Sequence, residues 1–131
     1  MAIGSAGNIY VGVVDDDASQ RKSLARLLRA VGMQSIAYAS AEEFRADVNR
    51  PRFDCLLLDV QLPGLSGIEL RNQLALEGVA TPVIFITAYD DPKAREAAVA
   101  GRCAGYFLKT DPGSEIIEAI RHELTPAALG K

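Results

Sequence analysis

Short, unbroken apolar runs alternate along this chain with stretches in which apolar residues recur at helical spacing. IYVGVV (9–14) is the first run, and three aspartates stop it. A continuous run of this length reads as a strand buried on both faces. From Ser19 to Val31, Leu24, Leu27, Leu28 and Val31 recur every three or four positions, while Arg21, Lys22, Arg26 and Arg29 fill places between them. That is an amphipathic helix, with Gly32 placed to end it. QSIAYAS (34–40) reads as a second strand, and Ser40 with Glu43 three residues on has capping-box spacing for a short helix. CLLLD (55–59) is a third strand, followed by the loop QLPGLSG, where Ser66 and Glu69 again have capping-box spacing for a helix to about Glu77. PVIFIT (82–87) and GYFL (105–108) are the fourth and fifth strands. Between them, Asp91 and Pro92 predict the cap and first residue of a helix ending near Gly101. Asp111 and Pro112 are placed to start a last helix, reaching about Leu124.

Strand then helix, five times over, predicts an α/β fold with a parallel sheet covered by helices on both faces. Right-handed crossovers leave few arrangements, and the expected one is a doubly wound, flavodoxin-like sheet in the order 2-1-3-4-5. The expected domain runs from 9 to 124, after a flexible start (1–8) and before a tail or the start of a linker (125–131).

Composition adds limits rather than detail. The 131 residues suit one domain, and 49% hydrophobic with 24% charged residues is the balance of a soluble globular protein. No apolar run is long enough to span a membrane, and the opening MAIGSAGN has neither a basic nor an apolar leader segment, so a cytoplasmic protein is expected. The net charge of −3 argues against nucleic-acid binding by this segment. Cys55 and Cys103 stand far apart among small or apolar residues, with His122 the one histidine, and are expected to be buried, reduced thiols.

Candidate chemistry collects at the predicted strand ends. Ligands of an open parallel sheet bind beyond the carboxyl ends of its strands, where strand order reverses. Asp15 and Asp16 follow the first strand, Asp59 ends the third, Thr87 ends the fourth and Lys109 follows the fifth. Asp17 reads instead as a turn or helix cap. Two carboxylates about 4 Å apart repel by roughly 4 kcal/mol at an effective dielectric of 20, so the cluster needs a cation. Oxygen ligands favour Mg²⁺. Lys109 and Thr87 can then bind phosphoryl oxygens, with Asp59 as the nucleophile of an aspartyl-phosphate reaction.

The segments VVDDD, ASAEEF, CLLLDVQLPGLSGIEL, PVIFITA and GYFLK, in this order over about residues 9 to 124, resemble the CheY-like receiver domain of two-component response regulators. ASAEEF and LLLDVQLPGLSGIEL are most similar to the FixJ-type branch, whose receivers commonly precede a LuxR-type helix-turn-helix output domain. The resemblance implies a signalling domain rather than an enzyme, with Asp59 phosphorylated by a sensor histidine kinase or a small phosphodonor. It implies that Asp16 binds Mg²⁺ directly, Asp15 through water, and the Gln61 carbonyl completes the protein ligands. Asp59 belongs to the same metal site, and Thr87 and Lys109 contact the phosphoryl group. Tyr106 matches the aromatic that follows a shift of the threonine and alters the surface of the fourth helix, fifth strand and fifth helix, where a homodimer could form. Gln61 and Tyr89 border the path of attacking water, and the bulk of Tyr89 predicts slow hydrolysis.

The family usually has proline directly after the lysine, often with a cis bond. Thr110 stands here, and a non-proline cis bond costs about 2.5–4 kcal/mol, so a trans bond and a rearranged loop are expected. Thr110 also keeps open a different reading, a degenerate receiver that binds protein without being phosphorylated. A haloacid-dehalogenase-like phosphatase would need a second aspartate as general acid where Gln61 stands. A dinucleotide module would need a phosphate loop where DDDAS stands. The basic positions of the first helix read as a solvated face, with kinase docking as the minor alternative.

Overall fold

The computed structural model describes residues 9–124, so the expected flexible start and C-terminal tail both lie outside the described residues. Five strands alternate with five helices: β1 (Tyr10–Val14), α1 (Ala18–Ala30), β2 (Gln34–Tyr38), α2 (Ala41–Ala46), β3 (Cys55–Asp59), α3 (Gly67–Leu76), β4 (Val83–Thr87), α4 (Pro92–Ala100), β5 (Gly105–Leu108) and α5 (Gly113–Leu124). The strands form one parallel sheet in the order β2-β1-β3-β4-β5, as the pattern predicts.

Because successive side chains of a strand point to opposite faces, the sheet has two cores. Val11 and Val13 of β1, Cys55 and Leu57 of β3, and Ile84 and Ile86 of β4 pack with Leu24 and Leu28 of α1 and Ile116, Ile117 and Ile120 of α5. Val14, Leu56, Leu58 and Phe85 face the other way, against Phe44 of α2, Leu70 and Leu74 of α3 and Ala98 of α4. Each fully buried aliphatic side chain contributes roughly 1.5–3 kcal/mol, and the central strands supply most of them.

Two edge strands depart from the expected burial. β5 is half-buried throughout, and β2 exposes Gln34, Ile36 and Ala37, stopping at Tyr38 rather than Ser40. A strand at the sheet edge has a neighbour on one side only, so its apolar run is covered less completely than the same run at the centre. Tyr38 is buried; its hydroxyl donates to Asp47 at 2.7 Å, and its ring meets Phe44 edge-on. Burial and the Asp47 carboxylate push its pKa to about 12.

The helix starts follow local chemistry. Asp17 caps α1, accepting the backbone N–H groups of Ser19 and Gln20, and Gly32 follows the helix at φ +85°. Ser66 and Glu69 form the expected reciprocal box at α3. At α2, Ser40 accepts the Glu43 N–H, but Glu43 reaches back to the N–H of Ala39, so the predicted box is displaced by one residue. Asp91 caps α4, with Pro92 at the first turn. Asp111 does not start α5: its carboxylate turns back to accept the Leu108 N–H at 2.8 Å. Cys55 is fully buried, and burial pushes its thiol to about 12, whereas Cys103 is only half-buried.

Candidate functional site

The register Val14↔Leu58, Asp59↔Ile86 and Thr87↔Leu108 brings the ends of four strands to one edge of the sheet. Asp15 follows β1 there, Asp59 and Thr87 end β3 and β4, and Lys109 follows β5. All three of Asp15, Asp59 and Thr87 are buried, at 2%, 5% and 0% exposure, although each is polar. One carboxylate oxygen from each of Asp15, exposed Asp16 and Asp59 lies within 4.8 Å of the others.

Lys109 reaches across this cluster. Its Nζ donates to Asp15, at 3.1 Å from Oδ1 and 3.0 Å from Oδ2, and to Asp59 Oδ2 at 3.1 Å. Backbone groups add to these contacts, with the Gln61 N–H on Asp59 Oδ1 at 3.0 Å and the Asp17 N–H on Asp15 Oδ1 at 2.9 Å. Three carboxylates still face one ammonium. At this spacing each like-charged pair costs roughly 3–4 kcal/mol at an effective dielectric of 20.

Both Asp59 and Lys109 respond to this imbalance. Burial first, then the charge of Asp15, push the Asp59 carboxyl from 3.8 up to about 6, although the Gln61 N–H and Lys109 pull the other way. Burial works against the charge on Lys109, but its hydrogen bond to Asp15 and the charge of Asp59 prevail and raise it. A hard, divalent cation with oxygen ligands fits this donor set, because it supplies the missing charge without asking for nitrogen or sulfur.

The remaining predicted positions are arranged around this centre. The Thr87 hydroxyl donates to the Tyr89 carbonyl at 3.2 Å, while its own carbonyl accepts the Lys109 N–H at 2.8 Å. Tyr89 is 69% exposed and Gln61 is exposed. Tyr106 is turned inward: its ring lies 6.4 Å from Phe85, with the Arg95 guanidinium 4.6 Å above it. Its hydroxyl is buried without a hydrogen-bond partner among the described residues. The bond from Lys109 to Thr110 is trans, as expected, and Asp111 closes the loop behind it.

Two contributors escape a reading by pattern. Arg21, counted with the solvated face of the first helix, donates instead to the Asp15 carbonyl at 2.7 Å and braces β1 where it meets the site. Gly67 packs so closely on the loop after β3 that a Cβ there would strike the Asp59 carbonyl oxygen. Capping-box spacing marks the start of α3 but says nothing about that contact. Two grooves, of about 450 and 850 Å³, lie at the opposite end of the sheet around Val79–Pro82, away from this cluster.

Residues 11–121 match the family profile described as the response regulator receiver domain. Nodulation protein W of Bradyrhizobium diazoefficiens is 37% identical over 110 residues, 84% of this chain and 48% of that protein. The transcriptional regulatory protein FixJ of Azorhizobium caulinodans is 38% identical over 123 residues, 92% of this chain and 57% of that protein. The chain thus spans about half the length of the curated relatives it matches. The crystal structure of a receiver protein from Burkholderia phymatum is 43% identical, with a TM-score of 0.77 over 88% of this chain and 94% of that one. For FixJ-N the identity is 32% and the TM-score 0.79, covering 88% and 92%. On the profile match, the level of identity and the shared fold, the chain belongs to the response regulator receiver domain family.

Proposed function

We propose that this receiver accepts a phosphoryl group on Asp59 and uses it to switch a protein-binding surface. The observation that carries this reading is Lys109 Nζ bonded to both Asp15 and Asp59 inside a buried, over-acidic cluster. In the reaction an Asp59 carboxylate oxygen forms the new bond to phosphorus while the bond from phosphorus to the donor's leaving group breaks. Lys109 moves from the carboxylates to an equatorial oxygen, where its ammonium neutralises developing charge. The Thr87 hydroxyl leaves the Tyr89 carbonyl to donate to another phosphoryl oxygen.

Asp16 and Asp59, with the Gln61 carbonyl and Asp15 through water, would hold Mg²⁺. Bound there, the ion would offset the charge of the carboxylates and of the incoming phosphate. Departure of the Thr87 hydroxyl frees space beside β4 for Tyr106 to follow, changing the face formed by α4, β5 and α5. Tyr89, exposed beside Thr87, screens the phosphoryl group from water and lengthens its lifetime. A sensor histidine kinase is the donor in this reading, in the cytoplasm. The partner of the switched face is a helix-turn-helix output domain in the same protein or a second receiver. The domain catalyses only its own phosphorylation and slow dephosphorylation.

Acetyl phosphate with Mg²⁺ tests the reading directly. Intact-mass analysis should show a gain of one phosphoryl group, absent in Asp59→Asn. No gain under donor excess would instead support a degenerate receiver that binds its partner unmodified.

A further inference from the structure

Arg71 of α3 is the most deeply buried basic residue described, at 5% exposure, yet no carboxylate among the described residues pairs with it. Its guanidinium instead spans the end of α4. Nη1 donates to the carbonyls of Ala98 and Arg102, both at 2.9 Å, and Nη2 to that of Ala97 at 3.1 Å. The Ala97 and Ala98 carbonyls carry the partial negative charge of a helix C-terminus, so the helix end itself supplies the counter-charge, and the Arg102 carbonyl joins it from the turn beyond. Gly101 makes room for the contact, since a Cβ there would overlap the guanidinium. The same guanidinium stands 5.3 Å from the centre of the Phe85 ring, which also meets the Tyr106 ring at 6.4 Å.

The other end of α4 rests on β5 instead of α3, with the Arg95 guanidinium 4.6 Å over the Tyr106 ring. Asp91 caps it with one bond to the Lys93 N–H at 3.1 Å, and the Arg95–Asp90 pair beside it is about half exposed. We infer that Arg71 pins the C-terminal end of α4 to α3, so that a change at Thr87 and Tyr106 tilts α4 about a fixed end instead of shifting the whole helix. Arg71 is in this sense a positioning residue, acting on the signalling face through α4 and Phe85. The pin stands on the geometry of the unmodified protein, and only the tilt rests on the phosphoacceptor reading.

Hydrogen exchange read by mass spectrometry tests both parts, using the 131-residue protein as wild type and Arg71→Met. In the unmodified state, exchange over residues 96–103 should rise about tenfold in the variant, the order expected when charged hydrogen bonds are lost. Peptides from β1 and β3 should stay within twofold, which separates a local release from general instability. After acetyl phosphate and Mg²⁺, wild type should change over residues 88–95 and stay fixed over 96–103, while Arg71→Met changes over both. Exchange over 96–103 unaltered by the substitution, or wild-type changes equally large at both ends, would overturn the inference. Absence of any mass gain in wild type defeats the phosphoacceptor reading alone, and the unmodified comparison still decides the pin. Should Arg71→Met not fold, Gly101→Ala decides by the same readout, because it displaces the guanidinium and keeps its charge.

Discussion

Replacing Asp59 with asparagine should make this receiver more stable at neutral pH, although it removes the central acidic group. The rise of the Asp59 pKa from 3.8 to about 6 means that the folded state disfavours the ionised carboxylate, chiefly through burial and then through Asp15. A raised pKa contributes stability that is fully present below the unfolded value, near pH 4, and is lost as pH rises through about 6. Without a divalent cation, ionisation of Asp59 therefore costs the fold about 3 kcal/mol at pH 8, falling to about half of that at pH 5. Asparagine keeps the shape without the charge, and Lys109 keeps Asp15 as its partner. For a chain of this size the gain corresponds to roughly 10 °C in Tm. Thermal melts followed by circular dichroism, in chelator at pH 5 and pH 8, measure it. Equal melting at pH 8, or a gap that widens towards acid, would refute the reasoning. Several millimolar Mg²⁺ should raise the wild-type Tm more than that of the variant, because the ion offsets the charge that asparagine has already removed.

Lys109→Met leaves Asp15 and Asp59 facing each other unpaired, and should cost about 3 kcal/mol at pH 8 in chelator, less with Mg²⁺ present, as read by urea denaturation. Gly67→Ala should cost about 1–3 kcal/mol in the same assay, since the new Cβ must push against the backbone that carries Asp59. Tyr89→Ala should speed loss of the phosphoryl group, measured as decay of the phosphorylated mass after donor removal; an unchanged rate sinks the screening role. Asp111→Ala removes the acceptor of the Leu108 N–H, and should lower stability by about 1 kcal/mol and slow phosphorylation by acetyl phosphate.

The sheet was legible because its central strands are unbroken apolar runs, each bounded by charge or by turn residues. IYVGVV, CLLLD and PVIFIT are strands for a reason that local pattern records: both of their faces are covered. The same logic makes the convergence of Asp15, Asp16, Asp59 and Lys109 readable, since strand order alone brings those chain positions to one edge. What pattern does not record is contact between elements. Arg21 and Arg71 look like ordinary polar positions on helices, yet one braces the Asp15 carbonyl and the other is buried against α4. Their roles depend on how a long side chain crosses to a neighbouring element, which no periodicity encodes. Asp111 and Glu43 fail as cap predictions for a related reason. A short acidic side chain has several backbone N–H groups within reach, and the turn decides which one it takes.

The turn after β5 shows what this freedom can do. Aiming a lysine at a fixed point requires its backbone to be fixed first, and the family usually places proline directly after it. Here Thr110 follows through a trans bond, and hydrogen bonds perform the fixing. The Lys109 N–H on the Thr87 carbonyl, at 2.8 Å, carries the β4–β5 pairing one residue past the strand. The Leu108 N–H on the Asp111 carboxylate, also at 2.8 Å, folds the chain back at once. Between these two anchors the Lys109 backbone has little freedom, and its side chain alone decides what the ammonium touches. Because Thr87 supplies both one anchor and the hydroxyl proposed to meet the phosphoryl group, movement of that residue acts on Lys109 through the backbone as well as through charge. With threonine after it, Lys109 still reaches Asp15 and Asp59, while its backbone is bonded to the residue that would move.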